Sequence, residues 1–354
     1  MKNILKKYKG VKVLVTGSTG FKGAWLSFWL NLAGAKVIGV GLKPEKGSII
    51  FTSLKLKKKI EQFYLDIDDF KKINNLIKKK KPKIIFHLAA QSIVSESFKK
   101  PLRTFSSNIS GSINILESCR LNKISNLVYI TSDKCYLNLD KGKNFKENDR
   151  LGGSDNYSAS KACAEIVFNS YFHSYFKKKH LSVASTRAGN VIGGGDLKIN
   201  RIVPDIFRSI KSNKSLILRN PNSTRPWQHV LEPLSGYIIL GEKLMSKKLS
   251  SHLTPNWNFG PKPKNSKKVI FIVKNFIKSW NISKKIIIKN KNQYHESKLL
   301  SLDINKSGKE LKWRPKLTLP QTIKLTCDWY KKYYLKKSNM EKITEEQIKY
   351  YISK

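Results

Sequence analysis

Apolar and polar positions alternate along the chain in two rhythms, short apolar runs and longer segments with a helical repeat. The runs at Lys12 to Thr16, Lys36 to Val40, Phe63 to Leu65, Ile84 to Leu88, Leu127 to Ile130 and Leu181 to Thr186 read as buried strands. Between them, Ala24 to Leu32, Arg103 to Asn122 and the segment from Tyr157 through Phe176 carry the spacing of helices. This alternation of strand and crossover helix, sustained from residue 12 to about 188, predicts an α/β protein with a parallel, doubly wound sheet. Beyond it the pattern becomes a mixture of short strands, helices and Pro/Asn turns, opening at Gly193-Gly194-Gly195-Asp196. The expected division is therefore 1–188 for a first domain and 189–354 for a smaller α/β substrate lobe, with some segments returning to the first.

The first strand runs into Gly17-Ser18-Thr19-Gly20-Phe21-Lys22-Gly23 and then a helix. Glycines at this spacing, between a strand and a helix, let backbone N–H groups approach a pyrophosphate, so Gly17, Gly20, Phe21 and Gly23 are candidate cofactor contacts in a Rossmann-like domain. No carboxylate stands near Lys43, where one would meet the adenosine ribose, which leaves NAD and NADP both open on chemistry alone. Asp66 and Ile67 follow the third strand and are candidates for the adenine edge, with a helix N-cap as the competing reading for Asp68 and Asp69. The small Ala89 and Ala90 after the fourth strand would let the chain pass close to the nicotinamide ribose.

Composition changes this picture little. The net charge of +45 would raise nucleic acid or an anionic membrane as a partner, but lysine is spread over nearly every helix and loop, with no basic arm set apart. Such a spread reads as compositional bias, and neither nucleic acid nor membrane is expected as a partner. No apolar run reaches the roughly 18 residues of a membrane span. Cys119, Cys135, Cys163 and Cys327 lie far apart without a C-x-x-C pair, which fits a reducing, cytoplasmic setting and argues against a metal site.

The chemistry gathers between Thr131 and Lys161. Thr131-Ser132-Asp133-Lys134-Cys135-Tyr136 crowds polar groups at the carboxyl end of a buried strand, the end where open α/β sheets bind ligands. Tyr157 and Lys161 stand at i and i+4 on one helical face. A phenol with its usual pKa of about 10 is a poor base at neutral pH, and a neighbouring ammonium favours the phenolate that could take a proton from an alcohol.

With these motifs in order, the chain resembles the extended short-chain dehydrogenase/reductase superfamily. Within it, Arg187-Ala188-Gly189-Asn190-Val191-Ile192-Gly193-Gly194-Gly195-Asp196, Arg219-Asn220-Pro221 and Arg225-Pro226-Trp227-Gln228-His229-Val230-Leu231-Glu232-Pro233-Leu234 look like the CDP-glucose 4,6-dehydratase family. The similarity runs from about residue 10 to near Ile343. It implies a bound NAD, CDP-glucose as substrate and a CDP-4-keto-6-deoxy-glucose product. In that scheme Tyr157 takes the O4 proton, Lys161 holds the nicotinamide ribose and Ser132 bonds the reacting oxygen. Asp133 gives a proton to the departing C6 hydroxyl, and Lys134, as a neutral amine, takes the C5 proton. Arg201, Arg219 and Arg225 carry guanidinium groups suited to the diphosphate, with Asn190, His229 and Trp227 as further substrate contacts. The resemblance also implies that Asn108 ties active-site water or backbone to Lys161. The resemblance also implies a homodimer joined by helices at 103–122 and 156–178, and deoxysugar supply to a lipopolysaccharide O-antigen. Another nucleotide-sugar dehydratase, a 4-epimerase and a noncatalytic dinucleotide-binding regulator are the competing readings.

Overall fold

The computed structural model describes the chain apart from residues 45–48, 140–141, 180, 248–254, 263–264, 284, 289–299 and 336–338. Seven parallel strands form the central sheet: β1 (Lys12–Thr16), β2 (Lys36–Gly41), β3 (Glu61–Tyr64), β4 (Ile84–His87), β5 (Asn126–Ile130), β6 (Ser182–Ala188) and β7 (Asn256–Phe259). Their spatial order is β7-β6-β5-β4-β1-β2-β3, so the chain reverses direction between β1 and β4. Crevices at such a switch point, outside the strands' carboxyl ends, are where ligands settle in this architecture.

Successive strand residues bury on opposite faces. In β1, Val13 and Val15 join the core on one side and Leu14 joins the core on the other; Val128 and its neighbours Leu127 and Tyr129 divide the same way in β5. One face is covered by helix α1 (Phe21–Leu32) and, from late in the chain, by Leu231–Met245, Leu319–Tyr334 and Met340–Ser353. The opposite face carries α2 (Phe70–Lys80), α3 (Gly111–Leu121) and α4 (Asn156–Tyr171). Trp29 of α1 meets Tyr351 edge-on at 5.8 Å between ring centroids, so residues near position 350 complete the core begun at position 13.

Local sequence explains the helix ends. Asp69 caps α2 by accepting from the Lys72 amide at 3.0 Å, and Lys81 closes the helix in the left-handed region at φ 46°. Asp155 caps α4 through the Ser158 amide at 3.0 Å, which fixes where Tyr157 enters its first turn. The expected single helix over Arg103 to Asn122 is instead a short helix, Pro101–Phe105, a wider turn at Ser106–Ser110, and α3. Within the wide turn Asn108 is fully buried and bonds inward. All four cysteines are unpaired, and no helix among the described residues is long and apolar enough to cross a membrane.

Candidate active site

The turn after β1 is shaped by glycine. Gly17 sits at φ +72°, and a Cβ there would meet the Ala89 amide nitrogen at 2.9 Å; a Cβ on Gly23 would lie 2.0 Å from the Gly17 carbonyl oxygen. Neither position accepts a side chain without moving backbone. Gly20 is the N-cap of α1 and offers no side-chain cap, so the first amides of the helix face the cavity as donors for an anion. Thr16 Oγ1 accepts from the amides of Leu88 and Ala89, both at 3.1 Å, which draws the Ala89-Ala90 loop against the glycine turn. These features fit a dinucleotide diphosphate.

A cavity of about 540 Å³ opens beside this turn. Gly17, Gly20, Phe21 and Gly23 line it with Ala89 and Ala90, as do Ser132, Asp133, Lys134, Tyr157 and Lys161. Ser132 Oγ donates to Asp133 Oδ1 at 3.0 Å, accepts from the Lys134 amide at 3.3 Å and hydrogen-bonds the Tyr157 side chain. Burial pushes the Tyr157 phenol up to about 12, against the Ser132 hydrogen bond that pulls it down. Burial, followed by repulsion from Lys22, brings the Lys161 ammonium down to about 8. Asp133 is raised above the ordinary carboxyl range by burial, partly offset by Lys134, Ser132, Lys22 and Arg225. A carboxyl raised by burial, a phenol and the Lys161 cation are thus set around one space.

Asn190, Arg201, Arg219, Arg225 and Trp227 line the same cavity. Arg201 is braced there by Asp196 at 2.8 Å and Ser92 at 2.8 Å, and Arg219 leans on Asn200 at 3.2 Å. Trp227 presents part of its ring to the cavity while its Nε1 donates to the Lys267 carbonyl at 2.8 Å. Three guanidinium groups on the lining of the cavity suit a second diphosphate.

Residues 14–326 match the family described as GDP-mannose 4,6 dehydratase. The chain belongs to the GDP-mannose 4,6 dehydratase family. Among its relatives, CDP-glucose 4,6-dehydratase of Salmonella typhimurium is 40% identical over 352 residues, 98% of this chain and 97% of that protein. The dTDP-D-glucose 4,6-dehydratase of Dictyostelium discoideum is 29% identical over 66% of this chain and 56% of its own length. In fold, this dehydratase-family chain is similar to dTDP-glucose 4,6-dehydratase of Bacillus anthracis, solved in complex with NAD, with a TM-score of 0.77, 22% identity, and 95% of this chain and 100% of that one covered.

Several expected contacts of this dehydratase-family chain lie elsewhere. His229 is fully buried, edge-on to Trp25 at 6.0 Å, and its Nδ1 accepts from the Leu231 amide at 3.3 Å. Buried against Trp25 and absent from the cavity lining, His229 is a core residue here rather than the expected substrate contact; burial takes it down to about 3, a neutral imidazole. Asp66 is held by Arg103 at 2.6 Å, and Ile67 is buried against α3 where a Gly111 Cβ would sit, so neither lines the cavity. Asn108 accepts from the Gln91 amide at 2.8 Å and donates to Ser160 Oγ at 2.9 Å, the residue before Lys161.

Two features escaped the sequence reading. Glu165, one helical turn beyond Lys161, forms a fully buried ion pair with Arg187 at 2.8 Å and takes hydrogen bonds from Thr131, from Ser185 at 2.9 Å and from Asn256 at 3.2 Å. Burial alone would raise Glu165, but Arg187 and these hydrogen bonds hold it below the ordinary carboxylate value. The pair ties the helix carrying Tyr157 and Lys161 to the residue preceding Ser132. Its signal was the i+4 spacing from Lys161 to Glu165. The second is Lys22, a cation inside the glycine turn that lines the same cavity.

Proposed function

We propose that this chain is a CDP-glucose 4,6-dehydratase, a hydro-lyase that converts CDP-D-glucose to CDP-4-keto-6-deoxy-D-glucose and water with resident NAD. The observation that carries the reading is the convergence of Ser132, Asp133, Lys134, Tyr157 and Lys161 on one cavity between a glycine turn and three arginines. The relative of 40% identity across nearly the whole chain supports the choice of nucleotide.

Bound NAD would be held by the amides of the glycine turn, by Ala89 and Ala90 and by Lys161, and it supplies a hydride acceptor for C4 and a hydride donor for C6. Tyr157 takes the O4 proton as C4 becomes a ketone, helped by the charge of Lys161 and by Ser132, which bonds the reacting oxygen. The ketone acidifies C5. Lys134 accepts the C5 proton; the electron pair forms the C5–C6 double bond as the C6–O bond breaks, Asp133 protonates the leaving hydroxyl to water, and C5 regains a proton, exchanged with solvent, as C6 is reduced. Arg201, Arg219 and Arg225 hold the substrate diphosphate, with Asn190 and Trp227 beside the sugar and base. Cofactor contacts and the groups that act on the sugar thus come from the region 1–188, and the contacts to the substrate diphosphate from the region after it.

The reading extends to a cytoplasmic homodimer that supplies a deoxysugar to a surface glycan such as an O-antigen. Support for the dimer comes from apolar side chains left exposed on the helices at 101–121 and 156–171, among them Leu102 at 86% and Ile166 at 56%. Protein incubated with NAD in deuterated water and, separately, with CDP-, dTDP-, GDP- and UDP-glucose should yield a 4-keto-6-deoxy product from the CDP sugar, labelled at C5. Dehydration of another nucleotide sugar alone would overturn the nucleotide assignment, and interconversion at C4 without loss of water would replace the dehydratase with an epimerase.

A further inference from the structure

Lys22 is the second residue of α1, directly after the glycine turn, and its side chain enters the cavity. Among the described residues it has no hydrogen bond or ion pair. An ammonium that loses part of its water without gaining an acceptor costs stability in the ligand-free protein. Burial brings it down to about 8, with Asp133 opposing that change and Arg201 adding to it. The charged groups that act on it are Asp133 from the end of β5, Lys161 from α4 and Arg201. Lys134, Arg225 and Tyr157 stand further around the same cavity.

Asp133 has one oxygen committed to Ser132 and the other beside the backbone of Gly189, where an added Cβ would lie 2.6 Å from it. Lys22 and Asp133 therefore place a cation and a carboxyl on the lining of one cavity, each acting electrostatically on the other. Ser132 and Gly189 fix the carboxyl on one side, and the remaining approach is open to the cavity.

We propose that Lys22 is a positioning residue for the elimination step, its ammonium stabilising the Asp133 carboxylate that forms when Asp133 delivers its proton to the departing C6 hydroxyl. The inference rests on the dehydratase reading above. In this step the C6–O bond breaks, the hydroxyl leaves as water with the Asp133 proton, and the negative charge left on Asp133 is matched by Lys22. The same cation lowers Lys161, so its removal leaves Lys161 more fully charged and does not impair the support given to Tyr157. Loss of Lys22 should thus separate the two halves of the reaction, sparing C4 oxidation and slowing dehydration.

The test compares wild type, Lys22→Met and Lys22→Arg, each loaded with NAD and mixed with CDP-glucose. In Lys22→Met, absorbance at 340 nm from reduced nicotinamide should build up at the wild-type rate while product formation falls by about tenfold or more. KM for CDP-glucose and the affinity for NAD, measured by equilibrium titration, should stay within about twofold, and Lys22→Arg should recover most of the product rate. Unchanged product formation in Lys22→Met overturns the proposal. So does a loss of turnover with weakened NAD binding and no signal at 340 nm, which would make Lys22 a cofactor-phosphate ligand instead. A wild-type protein that leaves CDP-glucose unchanged would remove the dehydratase reading itself, an outcome distinct from either of these.

Discussion

Replacing Lys161 with methionine should make the ligand-free protein more stable at neutral pH while ending its turnover. The ammonium is buried and has no hydrogen-bond acceptor among the described residues, and its environment brings it from 10.5 to about 8. A displacement of that size corresponds to about 3 kcal/mol against holding the charge in the folded protein at pH 7. Methionine keeps the length of the side chain and removes the charge, so we expect about 1–3 kcal/mol of added stability. The pH dependence is the diagnostic part. Because the folded-state value lies below the unfolded one, the cost is fully present below about 8. Between there and about 10.5 the unfolded chain binds more protons than the folded one, and the wild type gains stability as pH rises. Urea unfolding at pH 7 and pH 10 should therefore show a stability gap between variant and wild type that shrinks toward zero at the higher pH. A variant less stable than wild type at pH 7, or a gap independent of pH, would refute the assignment of Lys161 as a strained buried cation.

Two further expectations concern the surrounding frame. Glu165→Gln leaves the Arg187 guanidinium buried without its counter-charge and should cost about 3–5 kcal/mol in thermal or urea unfolding, with turnover falling as Ser132 and Tyr157 lose their common anchor. Gly23→Ala places a methyl 2.0 Å from the Gly17 carbonyl oxygen, so the turn must open, and NAD binding measured by titration should weaken by about tenfold or more even where the protein stays folded.

Six of the seven sheet strands were legible as short apolar runs, the clearest of them in strands buried on both faces. The seventh was not. Its sequence, Asn256-Trp257-Asn258-Phe259, follows a proline and alternates amides with rings, and asparagine is a poor strand former. Those amides are buried because partners distant in sequence receive them: Asn256 donates to Ser185 at 2.8 Å, and Asn258 bonds Tyr136 at 2.8 Å and the Phe145 carbonyl at 2.9 Å. Nothing local announces such partners. At the site, Tyr157 with Lys161 and the Ser132-Asp133-Lys134 run were readable because one helical turn and one strand end determine where they point. His229 was misplaced since a histidine within an arginine-rich block looks like a ligand contact, and only the fold buries it against Trp25. Lys22 was hidden by abundance, one cation among 69 lysines and arginines.

The late arrival of β7 has a consequence for how the protein comes into being. During translation β1 through β6 can pair as they emerge, but β6 then presents a row of free amides and carbonyls until residue 256 has been made. Through that interval Glu165 and Arg187 have each other but lack Asn256, and the edge is open to any other extended chain nearby. A nascent chain stalled or cut in this interval would carry its glycine turn and most of its catalytic side chains on a sheet still seeking a partner, which makes aggregation, rather than a reduced activity, the expected fate of such a fragment.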